Sequence, residues 1–171
     1  MKRKSNSPIE NGMRQALLFS LPRAGLCVTD LTHERTGAMF DPDHPDLLLV
    51  STESDEPCGD VYGTGDEEWT LYSDVSLGTY RIDLLLQTFY GHLAIECDGH
   101  EWHERTKQQA AYDRARDREL LAHGLATVRF TGSEIHHSAA RCAQEVYAVM
   151  RHIDDRESSH VHARTEIRRR A

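Results

Sequence analysis

The chain lacks any long hydrophobic run. Its longest unbroken aliphatic stretch is Leu47-Leu48-Leu49-Val50, whereas a bilayer-spanning helix needs ~20 mostly apolar residues. No transmembrane helix is expected. A secretory leader is not expected either. Met1-Lys2-Arg3-Lys4 is a charged start, but Ser5-Asn6-Ser7-Pro8-Ile9-Glu10 follows where an apolar stretch would have to stand. Cysteine pairs are missing too. Cys27, Cys58, Cys97 and Cys142 lie far apart, and no CxxC occurs. That excludes the usual zinc finger and the thioredoxin-type redox site. Free thiols in a reducing cytoplasm are the expectation. Basic residues are absent from Asp41 to Glu68, a stretch with ten acids and no Lys or Arg. No internal repeat is visible.

What is present is enough for one folded domain. A chain of 171 residues buries roughly two-thirds of its unfolded surface and needs no disulfide or structural metal to fold. The net charge of −8 comes from the acidic stretch, since the rest carries 20 basic and 18 acidic residues. Local charge decides what a surface attracts, so an acidic total does not exclude a nucleic-acid partner. Basic residues gather at Met1–Lys4, Arg105–Arg118 and Arg164–Arg170.

The spacing predicts helix, strand, strand, strand, helix, strand, helix, an α/β chain with a mixed sheet and helices on its faces. Ser7-Pro8-Ile9-Glu10 is an N-cap with a capping box. That helix should stop near Ser20, because the residue before Pro22 avoids helical geometry. Residues 24–67 read as an acidic insertion with one short strand, Leu47–Ser51. Trp69–Ser73 reads as a strand. Thr79–Leu86 and His92–Asp98 alternate with period two and form a hairpin about Gln87–Gly91. A polar helix from about Glu104 to His123 ends at Gly124. Leu125–Phe130 is a short strand. A last helix places Ile135, Ala139, Ala143, Val146 and Met150 on one face. The domain spans 1–153, and 154–171 is expected to be a loose polar and basic tail.

The hairpin carries the chemistry. Asp83 lies on one face of its strand, and Glu96 and Asp98 share that face on the next. A turn at 87–90 would set Asp83 opposite Ala94, with Glu96 a diagonal neighbour ~7–8 Å away. Like charges at that range repel unless a cation neutralises them or one is protonated. An oxygen-rich site with few protein ligands suits Mg²⁺ or Mn²⁺. Solvated strand charges are the plain alternative. Leu85, Ala94 and the apolar opposite face argue against it, because they imply a sheet covered on both sides.

These residues resemble a known family. Gly78-Thr79-Tyr80-Arg81-Ile82-Asp83 followed by Ala94-Ile95-Glu96-Cys97-Asp98-Gly99-His100 is similar to the active-site hairpin of the PD-(D/E)XK nuclease superfamily. The resemblance is closest to small domains related to the very-short-patch-repair (Vsr) endonuclease. Asp113-Arg114-Ala115-Arg116-Asp117-Arg118 and Arg129-Phe130-Thr131-Gly132-Ser133-Glu134-Ile135 match as well. The match covers about residues 5–20 and 70–150.

The resemblance implies a restriction-endonuclease-like core and metal-dependent phosphodiester hydrolysis. Asp83 and Glu96 would hold Mg²⁺ or Mn²⁺, with the Cys97 carbonyl as a third ligand. The family's lysine, two residues after Glu96, is Asp98 here. Asp98 would be a further ligand, and Lys107 would supply the missing positive charge. Glu10 has two readings, a metal carboxylate acting through water or the capping-box partner of Ser7. His103, then His100, is a candidate for proton transfer or substrate contact. Lys107, Ala111, Arg114 and Arg118 fall at helical spacing. Arg114 and Arg118 are either a phosphate-contacting edge or a salt-bridged exposed face. The expected activity is a Mg²⁺-dependent DNA endonuclease, nicking or cutting, in repair, a mobile element or defence. The rivals are an RNA nuclease and a binding module that has lost catalysis. No zinc module or recognition helix for target choice is visible, so a targeting protein partner fits. The acidic segment would lie away from the DNA face or shield it.

Overall fold

The computed structural model describes residues 7–32, 36–40, 48–52, 60–63, 65, 67–99 and 107–170. Three helices flank one eight-stranded mixed sheet. Helix α1 (Pro8–Arg23) starts as the sequence predicts. The Ser7 hydroxyl accepts from the Glu10 N–H, and the Glu10 carboxylate accepts from the Ser7 N–H. It ends later than predicted, running through Pro22 to Arg23. Burial overrides the local preference: Leu17, Leu18 and Leu21 are buried, and holding them there requires the last turn. Gly25, with φ +88°, then turns the chain into the sheet.

The expected acidic insertion supplies strands. Beside β3 (Leu48–Thr52), which was foreseen within a residue, stand β1 (Leu26–Asp30), β2 (Thr36–Phe40) and β4 (Asp60–Tyr62). β1 and β2 pair with β5 (Glu67–Leu77), which is longer than predicted, while β4 joins through β1 and β3 through β2. β1 pairs with the first half of β5 and β2 with its end, both parallel. Non-local pairing of this kind leaves little trace in single-strand alternation. Most of the acidic residues between 41 and 68 lie outside the described residues.

From β5 the order across the sheet runs β5, β6 (Tyr80–Gln87), β7 (His92–Asp98), β8 (Ala126–Thr131). The first two junctions are antiparallel and the last is parallel. Helix α2 (Lys107–Ala122) makes the β7-to-β8 crossover, and Gly124, with φ +78°, closes it. Two buried clusters sandwich the sheet. One gathers Met13 and Leu17 of α1, Leu84, Leu86, Leu93 and Ile95 of the hairpin, and Val146 and Met150 of α3 (Gly132–Arg170). The other joins Leu85 and Ala94 to Leu120 and Leu125. The hairpin is thus covered on both faces, as expected.

The expected tail begins inside helix α3. Its backbone is helical through Arg170, with one non-helical residue at Ser138. Asp154 is buried and accepts a hydrogen bond from the Thr88 hydroxyl of the β6–β7 turn. Composition alone read this stretch as polar. The contact partner of Asp154 is far away in sequence, so only the fold reveals it.

Candidate active site

The β6–β7 register differs from the one the turn length suggested. Gln87 pairs with His92, Leu86 with Leu93, Leu85 with Ala94 and Leu84 with Ile95. The turn is Thr88–Gly91, closed by the Thr88 N–H donating to the Gly91 carbonyl at 2.9 Å. Thr88 holds it there, because its hydroxyl also accepts from the N–H groups of Tyr90 and Gly91. One step beyond the last ladder pair, this register sets Asp83 opposite Glu96 rather than Ala94. Directly opposed residues stand ~4.5–5.5 Å apart at Cβ, not 7–8 Å. The register thus brings the two backbone positions closer than the sequence suggested.

Asp83 ends the ladder with its side chain, accepting from the Cys97 N–H at 2.8 Å. Burial raises its pKa, and the charges of Glu10 and Asp98 add to the effect while the Cys97 N–H opposes it. Glu96 is 6% exposed and Asp98 7%. Burial, then the neighbouring Asp83 charge, pushes Glu96 up to about 7, against the pull of Arg116 and Arg129. Its Oε1 is buried with no hydrogen-bond partner among the described residues. Burial, reinforced by the carboxylates, raises the Cys97 thiol far above its ordinary value and keeps it protonated.

Two arginines reach this cluster, and both lie in segments that carry the resemblance. Arg116 of α2 places Nη2 3.3 Å from Glu96 Oε2. Arg129 of β8, whose strand runs beside β7 with Arg129 level with Glu96, lies 3.8 Å from Asp98 and 2.6 Å from Asp117. Asp117 in turn stands 3.8 Å from Arg116 Nε. The sequence places the positive charge on Lys107, whereas the arginines that meet the carboxylates are Arg116 and Arg129. The available signal was the parallel β7–β8 pairing, which sends one β8 side chain to the face of Glu96. The helical phase of α2 was a second signal. Arg116 lies two residues from both Arg114 and Arg118, so it points to a different side.

The other candidates fall as follows. Arg114 and Arg118 are exposed on α2 and are not part of the carboxylate cluster. Glu10 forms the capping box and still acts electrostatically on Asp83. Lys107 opens α2, but its side chain lies outside the described residues, as do His100 and His103. Cys27, Cys97 and Cys142 are free thiols. No described helix is long and apolar enough to cross a membrane.

The donor set fits a hard divalent cation. It consists of carboxylate oxygens, one of them a buried oxygen with no partner, held on facing strands. Among the described residues, no three His, Cys, Asp or Glu side chains form a ready-made metal cage. A family model named REase_MTES_1575, for a restriction-endonuclease-like family, matches residues 65–150, half of the chain. No curated protein matches, and no solved structure does.

Proposed function

Because the chain belongs to the REase_MTES_1575 family of restriction-endonuclease-like proteins, and so to a class of nucleases, we infer that it is a divalent-metal-dependent endonuclease acting on DNA. Within that class we place it beside the very-short-patch-repair branch, on the Asp98-Gly99-His100 and Arg129–Ile135 segments. The observation that carries the reading is the half-buried Asp83 beside the buried Glu96 on one side of the hairpin, with Glu96 Oε1 unpartnered among the described residues.

Asp83 and Glu96, with the Cys97 carbonyl, would hold Mg²⁺ or Mn²⁺. When bound, such an ion lowers the pKa of a water and stabilises charge on the phosphate. The remaining roles belong to the chain. The Cys97 N–H fixes Asp83 in place. Arg116 and Arg129 supply the positive charge that the family's strand lysine would otherwise bring, and Asp117 holds Arg129 in position. Arg116 therefore joins Lys107 as the candidate for that role, and its contact with Glu96 favours it. His103 and His100 stay proposals for proton transfer and substrate contact. Arg114 and Arg118, exposed on the same helix, are proposed to touch flanking phosphates.

A second reading has its own support. The two arginines already offset part of the carboxylate charge, as they would in a metal-free binding module. A plasmid-nicking assay with and without Mg²⁺, on wild type and Asp83→Ala, separates the two. Mg²⁺-dependent nicking lost in Asp83→Ala is the expected result. Binding without nicking in either protein would establish the module instead.

A further inference from the structure

At the turn end of the hairpin, a cavity of about 850 Å³ opens between the start of β5, the Thr88–Gly91 turn and α3. It is separate from the carboxylate cluster, because Glu96 lies four residues along β7 from His92, about 13 Å away. Its lining is acidic. Among the described residues that line it, Glu67, Glu68, Asp154 and Asp155 stand against a single cation, Arg151, which already pairs with Glu67 and stands 3.8 Å from Asp155. A phosphate backbone would be repelled there, so the cavity is no extension of a nucleic-acid site.

Its rim is aromatic. Phe89 is 89% exposed, and Tyr90 meets it edge-on with ring centroids 5.0 Å apart. A large apolar ring held in water beside carboxylates is what a guanidinium or ammonium group uses, with one surface for stacking and one for charge. The walls are set before any ligand arrives, since Thr88 ties the turn to Asp154. Beyond Ser158, which lines the cavity, the α3 backbone continues as helix to Arg170, about 18 Å further along the helix axis.

We propose that this cavity docks a Lys- or Arg-bearing segment of a partner protein. The charge of the cavity selects the class of ligand, and the Phe89–Tyr90 pair supplies its stacking surface. The site is independent of the nuclease reading.

The test is fluorescence anisotropy of the full chain with labelled hexa-arginine peptide at low salt. Wild type should bind. The double variant Glu68→Gln, Phe89→Ala, both at exposed positions, should bind about 10-fold more weakly. The charge-matched control Glu145→Gln, at an exposed acid elsewhere, should bind as wild type does. No binding, or equal loss in the control, overturns the proposal, because the attraction would then be diffuse. Spermidine displacing the peptide at equal concentration also overturns it, making the site one for small cations. Sedimentation that shows wild-type self-association lost in the double variant overturns it too, because the occupant would be a second copy's basic end.

Discussion

The two ends of the β6–β7 hairpin handle polar groups in opposite ways. At the turn, Thr88 is a hub: its hydroxyl accepts from Tyr90 and Gly91 and donates to Asp154, and its N–H donates to Gly91. The exception beside it is His92, whose buried Nε2 has no hydrogen-bond partner among the described residues. At the open end, Glu96 and Asp98 are buried and Asp83 is half-buried, with arginines brought from two other elements. A carboxylate oxygen there stays without a hydrogen bond. The same two strands thus stabilise the fold at one end and store unfavourable charge at the other. Buried unsatisfied polar atoms are rare because they are costly, and they persist where a ligand will satisfy them.

Four changes break or sharpen this contrast. The largest effect is expected at the open end. Glu96→Gln keeps the shape and removes the charge, so Mg²⁺-dependent nicking should fall by about 10³-fold or more. Circular dichroism should show the fold retained, and apo thermal stability should hold or rise, since one repelled charge is gone.

The pH dependence of stability comes next, and it tests both ends of one strand. Burial holds His92 down to about 4, against an ordinary 6.5. The unfolded chain takes up that proton first, so this group costs stability as pH falls from 6.5 towards 4. Glu96, held up to about 7 against 4.5, runs the other way. Its folded form keeps a proton that the unfolded chain releases, so stability drops as pH rises from 4.5 through 7. Each effect is at most about 3 kcal/mol, and in wild type they largely cancel between pH 4.5 and 6.5. Urea midpoints should therefore fall on acidification in Glu96→Gln and fall on alkalinisation in His92→Leu. A flat profile in both variants would show that neither group is buried in the ionisation state described.

Arg116→Ala is expected to lower turnover by about 10²-fold with little change in DNA affinity. The same change at Lys107 should instead weaken binding and flatten the salt slope by about one unit, as a flanking phosphate contact would. If the two outcomes are reversed, the positive charge comes from Lys107. The smallest change belongs to the turn. Thr88→Val should destabilise the fold by about 2 kcal/mol, through the buried Asp154 left without its donor, while nicking under folding conditions stays at the wild-type rate. A loss of turnover there would mean that the two ends are coupled.

Much of this was legible beforehand because it is local. Ser7, Pro8 and Glu10 sit within one helical turn, so their capping box needs no tertiary information. Period-two alternation alone put Asp83, Glu96 and Asp98 on one face. Gly124 closing α2 follows from its tolerance of positive φ. The errors share a cause. The turn register moved because Thr88 has hydrogen-bond partners both within the turn and on α3, and only the first kind is visible in sequence. Strands β1, β2 and β4 were missed because what stabilises them is pairing with distant chain. Pro22 was allowed into α1 by burial of Leu21.

By itself, then, the sequence determined the elements of the hairpin, the identity of its carboxylates and the face they share, because side-chain direction repeats with backbone geometry. Only the tertiary structure decided which charges meet them. Arg116 arrives from α2 and Arg129 from β8, each placed by packing on the sheet rather than by any spacing along the chain. It also decided how far Glu96 is driven from its ordinary pKa, because desolvation depends on what surrounds a group in space.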